Sequence, residues 1–230
     1  MTQRYIILFL LFLLTFNFIA MAQTSQKTYT LLSLGDSYTI GESIAEQERF
    51  PNQVVDLLSK EKIQFQAPTI VAKTGWTTDE LTDAILHTKL KKKYDFVTLL
   101  IGVNNQYRER DLTNYETEFH NLLQKAIEFA GGKREYVIVV SIPDWGVTPF
   151  VVNDAKKRTG KQISNEVAAY NKVNEQIAKQ ANVHYIDIYP ISQEAKNDPS
   201  LIALDGLHPS GKMYTKWAEK IIEKIIAILR

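Results

Sequence analysis

The chain contains no cysteine. That excludes disulfides, thiol nucleophiles, thiolate metal sites and a lipidated N-terminal cysteine, and leaves oxygen and nitrogen groups to carry any chemistry. It also lacks an excess of charge of either sign, with 27 Lys and Arg against 26 Asp and Glu. No broad basic face is therefore expected for nucleic acid or for anionic lipid. Histidine is scarce as well, with four in 230 residues, so each can be weighed individually. There is no internal repeat, and no low-complexity tract beyond the N-terminal segment. Repeat architectures are set aside.

The chain's one long apolar run lies at its start, where "MTQRYIILFLLFLLTFNFIAMAQ" places Arg4 before an uncharged stretch that ends in Ala20-Met21-Ala22. A cation, an apolar run and a small-x-small site together read as a signal peptide over residues 1–22, cleaved before Gln23. The alternative is an uncleaved N-terminal membrane anchor, because the run approaches the ~20 residues that a spanning helix needs. Cleavage would remove Arg4 and no acid, leaving 26 bases against 26 acids. The expectation is a near-neutral exported protein, periplasmic or secreted, with no stable membrane insertion once the signal is gone. Residues 23–28 read as a polar linker and 29–230 as a single domain, for which 45% hydrophobic residues supply a continuous core.

Across that domain, apolar runs alternate with amphipathic segments, the pattern of a parallel α/β sheet. Strands are predicted at 29–34, 68–72, 96–101, 136–142 and 183–188, their unbroken apolar character suiting strands covered on both faces. Helices are predicted near 52–62, 78–89, 114–129 and 163–180. The last helix is the clearest: Met213, Trp217, Ile221 and Ile225 form one stripe, with Ala218, Ile222 and Leu229 beside it. Two segments, 103–113 and 143–162, read as loops too long for simple connections, and such loops are often functional.

In an open parallel sheet, reactive groups gather at the carboxyl ends of the strands. There the sequence places Gly35-Asp36-Ser37, then Lys73-Thr74-Gly75-Trp76, then Gly102-Val103-Asn104-Asn105, then Pro143-Asp144-Trp145, and finally "LDGLHPSGKMY". Asp205 and His208 lie three residues apart in a turn ahead of the last helix. A carboxylate at the imidazole Nδ1 would fix the tautomer and leave Nε2 to accept a proton from a serine hydroxyl. His87 and His120 fall inside helical patterns and His184 opens a strand, so His208 is the candidate base and Ser37 the candidate nucleophile. The backbone N–H after the first strand, the Gly75 N–H and the Asn104 amide are candidate donors to an oxyanion.

Four of these blocks, those containing Ser37, Gly75, Asn104 and the Asp205–His208 pair, resemble the SGNH hydrolases, the GDSL esterase/lipase family, over essentially the whole mature chain. The resemblance implies a flavodoxin-like three-layer α/β/α sandwich with a central parallel sheet of about five strands. It also implies a catalytic Ser37, Asp205 and His208, an oxyanion hole of Ser37, Gly75 and Asn104, and ester hydrolysis through an acyl-enzyme. That chemistry calls for no cofactor and no metal, and its partner is a small-molecule or carbohydrate ester. Asn105 departs from the family pattern, which commonly has Asp there, and altered local hydrogen bonding is expected without loss of chemistry. Asp36 is expected to accept hydrogen bonds around the turn and not to serve as the triad acid.

Plainer readings compete with these. Gly-Asp-Ser alone would serve as a turn and helix cap, and Gly75 and Asn104 as ordinary loop residues. A metal site at His184 and Asp187 is disfavoured because three residues along a strand point to opposite faces. Trp76, Trp145 and Phe150 are candidates either for the wall of a substrate pocket or for packing the loops to the body. Lys156, Lys157, Arg158 and Lys161 read as a solvated surface. The Gly-x-Ser-x-Gly elbow of the α/β-hydrolases is absent; Gly41-Glu42-Ser43-Ile44-Ala45 comes near it and ends in Ala. The expected activity is that of a serine esterase on short acyl chains. The alternatives are a carbohydrate acetylesterase, a lipase or lysophospholipase, and a sugar-binding module that has kept the fold without turnover.

Overall fold

A computed structural model describes residues 27–230. The segment read as a signal, residues 1–22, and the first part of the linker lie outside the described residues. Among those described, no helix is long and apolar enough to cross a membrane.

Five parallel strands form the sheet: β2 (Leu31–Gly35), β4 (Thr69–Ala72), β5 (Phe96–Leu100), β6 (Val137–Val140) and β7 (His184–Ile186). Their spatial order is β4-β2-β5-β6-β7, and every pairing is parallel. This is the flavodoxin-like order, in which the chain turns back between β2 and β5 and opens a crevice at their carboxyl ends. Every residue of β2, β5 and β6 is buried, which accounts for their unbroken apolar sequences, while the edge strands β4 and β7 are partly open. Two residues read as linker or strand, β1 (Thr28–Tyr29), instead pair with β3 (Gln64–Phe65) in a separate two-stranded ribbon. Thr28, read as the last linker residue, is thus in a strand. Tyr29 stacks on Phe65 at 5.3 Å, an aromatic pair that anchors this crossing.

The helices cover the sheet in two groups. On one side, α2 (Phe50–Lys60) packs against α8 (Gly211–Leu229), and on the other, α5 (Leu112–Phe129) packs against both α3 (Thr78–His87) and α6 (Gly160–Gln180). Local chemistry sets their starts. Proline in the first turn opens α2, a Thr77/Glu80 capping box opens α3, and a Thr159/Gln162 box opens α6. Ser210 accepts the Met213 N–H to cap α8. The apolar stripe of α8 is buried as its spacing predicts, with Trp217, Ile221 and Ile225 wholly inside.

Residues 103–113, predicted as a loop, are largely helical: α4 (Val103–Tyr107) follows β5 at once, and α5 begins at Leu112. A five-residue helix is too short to show a hydrophobic period, so the sequence reads as irregular. The segment 143–162 does lack a long element before α6. It carries two 3₁₀ turns, Trp145–Val147 and Pro149–Asn153.

Candidate active site

The end of β2 turns sharply because Gly35 has no side chain. A Cβ there would lie 2.1 Å from Thr39 Oγ1 and 2.3 Å from the Leu100 carbonyl oxygen on the neighbouring strand. Asp36 then caps α1 (Ser37–Ile40), its carboxylate accepting the Tyr38 N–H at 3.0 Å. Asp36 thus has the hydrogen-bonding role expected of it. It is wholly buried, and burial pushes its pKa up to about 7 against the opposing backbone hydrogen bonds from Tyr38 and Gly102. Ser37 is the first residue of α1, where a backbone N–H has no acceptor within the helix, and only 5% of its surface is exposed.

After β4, the turn 73–76 is closed by the Trp76 N–H on the Lys73 carbonyl at 3.2 Å. Gly75 occupies its third position with φ +87°, a conformation that favours glycine. Arg108 Nη2 donates to the Gly75 carbonyl at 2.7 Å and holds the turn. Asn104, on α4, donates one amide hydrogen to the Trp76 carbonyl at 2.9 Å, which orients the amide and leaves its second hydrogen for a ligand.

Asn105 is buried and binds α3 by both ends of its amide. It accepts from Thr78 N at 3.1 Å and donates to Thr78 Oγ1 at 2.6 Å. The Thr78 hydroxyl gives its own proton to Glu118. An ionised carboxylate at 105 could only accept, and it would find no proton left on that hydroxyl. Asparagine is the residue that completes this network, a direct account of the departure from aspartate.

Asp205 and His208 are joined as the sequence suggested, with Nδ1 to Oδ2 at 2.6 Å. The other oxygen, Oδ1, accepts the Leu207 and His208 backbone N–H groups at 2.9 and 3.0 Å. Oδ2 also accepts the Ser43 hydroxyl at 2.7 Å. Partial burial raises the Asp205 pKa, and hydrogen bonds led by that from His208 outweigh it and draw the carboxyl down to about 2. His208 is 7% exposed, and its imidazole lies edge-on to Tyr38 at 5.6 Å.

Ser37, Gly75, Asn104 and His208 border one cavity of about 190 Å³. Ser37 Oγ and the imidazole border the same cavity without a direct hydrogen bond, and catalytic contacts of this kind tighten as substrate binds. The remaining wall is mainly apolar, with Tyr38, Val103, Tyr107, Trp145, Phe150 and Leu207 beside Thr74. Two of the three aromatic candidates are therefore at the cavity. Trp76 is not on its wall; half-buried, it packs against the core and serves the site through its carbonyl.

A partly buried network fixes the aromatic wall. Trp145 Nε1 donates to Gln106 Oε1 at 2.8 Å, and Gln106 Nε2 donates to Glu166 at 2.6 Å. Glu166 also receives Arg158 Nη1 at 2.8 Å. Arg158 in turn makes a two-pronged pair with Asp154, Nε to Oδ2 and Nη2 to Oδ1, each at 3.0 Å. Its guanidinium stands 5.3 Å from the Trp145 ring and 5.8 Å from Tyr107. The expectation of a solvated Arg158 is overturned: it is 9% exposed, while Lys156, Lys157 and Lys161 are exposed as predicted. The four-residue spacing of Asp154 and Arg158 was the available signal.

Comparison with known proteins bears on the family and the fold. The model of the GDSL-like lipase/acylhydrolase family matches residues 33–216. No curated protein sequence matches the chain. Among solved structures, a lipase/acylhydrolase from Enterococcus faecalis aligns with TM-score 0.65 at 20% identity, over 87% of this chain and 96% of that one. An acetylxylan esterase from Geobacillus stearothermophilus aligns with TM-score 0.62 at 22% identity, over 86% and 94%. A psychrotrophic esterase from Pseudoalteromonas sp., inhibited by monoethylphosphonate, aligns with TM-score 0.63 at 16% identity, over 87% and 98%. At these identities the likeness is one of fold.

Proposed function

The chain belongs to the GDSL-like lipase/acylhydrolase family, and from that premise we propose that it is an exported serine esterase cleaving short acyl esters through an acyl-enzyme on Ser37. The observation that carries this reading is the pairing of Asp205 Oδ2 with His208 Nδ1 at 2.6 Å behind a cavity that Ser37 and His208 both border. Ser37 Oγ attacks the ester carbonyl as His208 Nε2 takes its proton, and Asp205 stabilises the imidazolium without itself becoming protonated. The tetrahedral oxyanion is held by the N–H groups of Ser37 and Gly75 and the free amide hydrogen of Asn104. Collapse expels the alcohol, protonated by His208. Water, deprotonated by the same histidine, then releases the acid.

A cavity of about 190 Å³ favours a short acyl group, since sites for larger ligands run to ~300–1,000 Å³. A carbohydrate acetylesterase is the second reading, favoured by that small apolar cavity and by the acetylxylan esterase among the structural neighbours. Export rests on the N-terminal segment, with a membrane anchor as its alternative. The test is hydrolysis of p-nitrophenyl esters from acetate to longer chains by the mature protein beside Ser37→Ala. Turnover greatest on acetate and lost in the variant is expected. A variant as active as the parent would refute the reading, and binding of acetylated sugar without turnover by the parent would favour the non-catalytic module.

A further inference from the structure

Between α1 and α2, Ser43 lies in the left-handed region with φ +66°. Glycine and asparagine adopt that conformation readily, and serine does so at a cost. The strain coincides with a contact 162 residues away in sequence: Ser43 Oγ donates to Asp205 Oδ2 at 2.7 Å, on the same oxygen that receives His208 Nδ1 at 2.6 Å. The preceding residue, Glu42, accepts the hydroxyl of Thr74, which adjoins Gly75. One short turn thus reaches both the carboxylate behind the histidine and the loop that carries a proposed oxyanion donor.

We propose that Ser43 is a positioning residue for the hydrolysis proposed above, an inference that rests on that reading. Oδ1 of Asp205 is committed to two backbone N–H groups. The Ser43 hydroxyl supplies a second donor to Oδ2, so the carboxylate cannot swing about and the His208 ring keeps its orientation. Ser43 does not border the cavity. Its loss therefore acts on the chemical step and not on substrate binding.

The test compares Ser43→Gly and Ser43→Asn with the parent and with Ser37→Ala, reading kcat and KM on p-nitrophenyl acetate together with Tm. Ser43→Gly removes the hydroxyl and relieves the backbone, so it should fold with an equal or higher Tm. Its kcat should nonetheless fall roughly 5- to 20-fold, the scale of a charge-assisted hydrogen bond discounted for exposure, with KM within about twofold. Ser43→Asn suits the same backbone and carries an amide donor, so it should recover most of the loss. A parent-like kcat in Ser43→Gly, a change confined to KM, or no recovery with Asn would overturn the role of Ser43 while leaving the esterase reading in place. Absence of turnover in the parent, or full turnover in Ser37→Ala, would overturn that reading and this one with it.

Discussion

Asp36 sits between the strand-end glycine and the proposed nucleophile, wholly buried, and its Oδ2 has no hydrogen-bond partner. Burial raises its pKa from 3.8 to about 7. A folded-state pKa above the unfolded one means that the folded protein binds the proton more tightly. The stability contribution is therefore fully present below about pH 4 and is lost as pH rises through about 7. At about 1.4 kcal/mol per pH unit, that span corresponds to roughly 4 kcal/mol, a ceiling that structural relaxation and water entry reduce to a few kcal/mol. Asp36→Asn preserves the acceptor for the Tyr38 N–H and removes the ionisation. Its own amide hydrogens face the same lack of a partner, which adds an offset that does not change with pH. The quantity to read is the change in the gap between variant and parent. In urea unfolding at pH 5 and pH 8, the variant should gain about 2–3 kcal/mol relative to the parent at the higher pH. Parallel profiles would show that Asp36 is not ionising in a dry site, and the reasoning would fail.

Three further outcomes follow from the same geometry. Asn104→Ala should lower kcat by ~10²–10³ with little change in KM on p-nitrophenyl acetate, as for loss of an oxyanion donor; a change in KM alone would make Asn104 a binding residue. Trp145→Ala should enlarge the acyl site, so that the ratio of kcat/KM for hexanoate to that for acetate rises; an unchanged ratio would place the acyl group elsewhere. Arg158→Met should destabilise the protein by about 3–5 kcal/mol in urea unfolding at pH 7, because Asp154 would be left buried without its countercharge, held only by backbone N–H groups. Hydrogen bonding from Arg158 lowers the Asp154 pKa to about 2, so that contribution is present above about pH 4 and lost as pH falls through about 2. An effect below 1 kcal/mol at pH 7 would refute the assigned pairing.

Much of the sheet was legible because β2, β5 and β6 are buried on both faces, and such strands announce themselves as runs such as "FVTLL" and "VIVV". The edges were less clear. The break at Thr30 separates two residues that pair with β3 from the strand that enters the main sheet, and no local pattern marks it. The site was legible where its chemistry is local. Asp205 and His208 sit three residues apart, and Gly-Asp-Ser ends a strand. Gly75 and Asn104 were legible only through their strand-end positions and the family resemblance. What escaped was long-range. Neither the Ser43 contact with Asp205 nor the chain from Trp145 through Gln106 and Glu166 to Arg158 leaves a short-range mark. The basic cluster containing Arg158 resembled solvent-facing surface because, although Asp154 is only four residues away, Glu166 lies well inside α6 and is brought beside Arg158 by the fold.

The central claim is that Ser37 is the nucleophile, and covalent trapping tests it most directly. The protein should be incubated with a p-nitrophenyl alkylphosphonate ester, digested, and mapped by mass spectrometry. The account predicts loss of esterase activity in step with one phosphonyl adduct on the peptide containing Ser37, and no adduct in Ser37→Ala. Stoichiometric inactivation with the adduct on another residue, or full activity retained by Ser37→Ala, would contradict it.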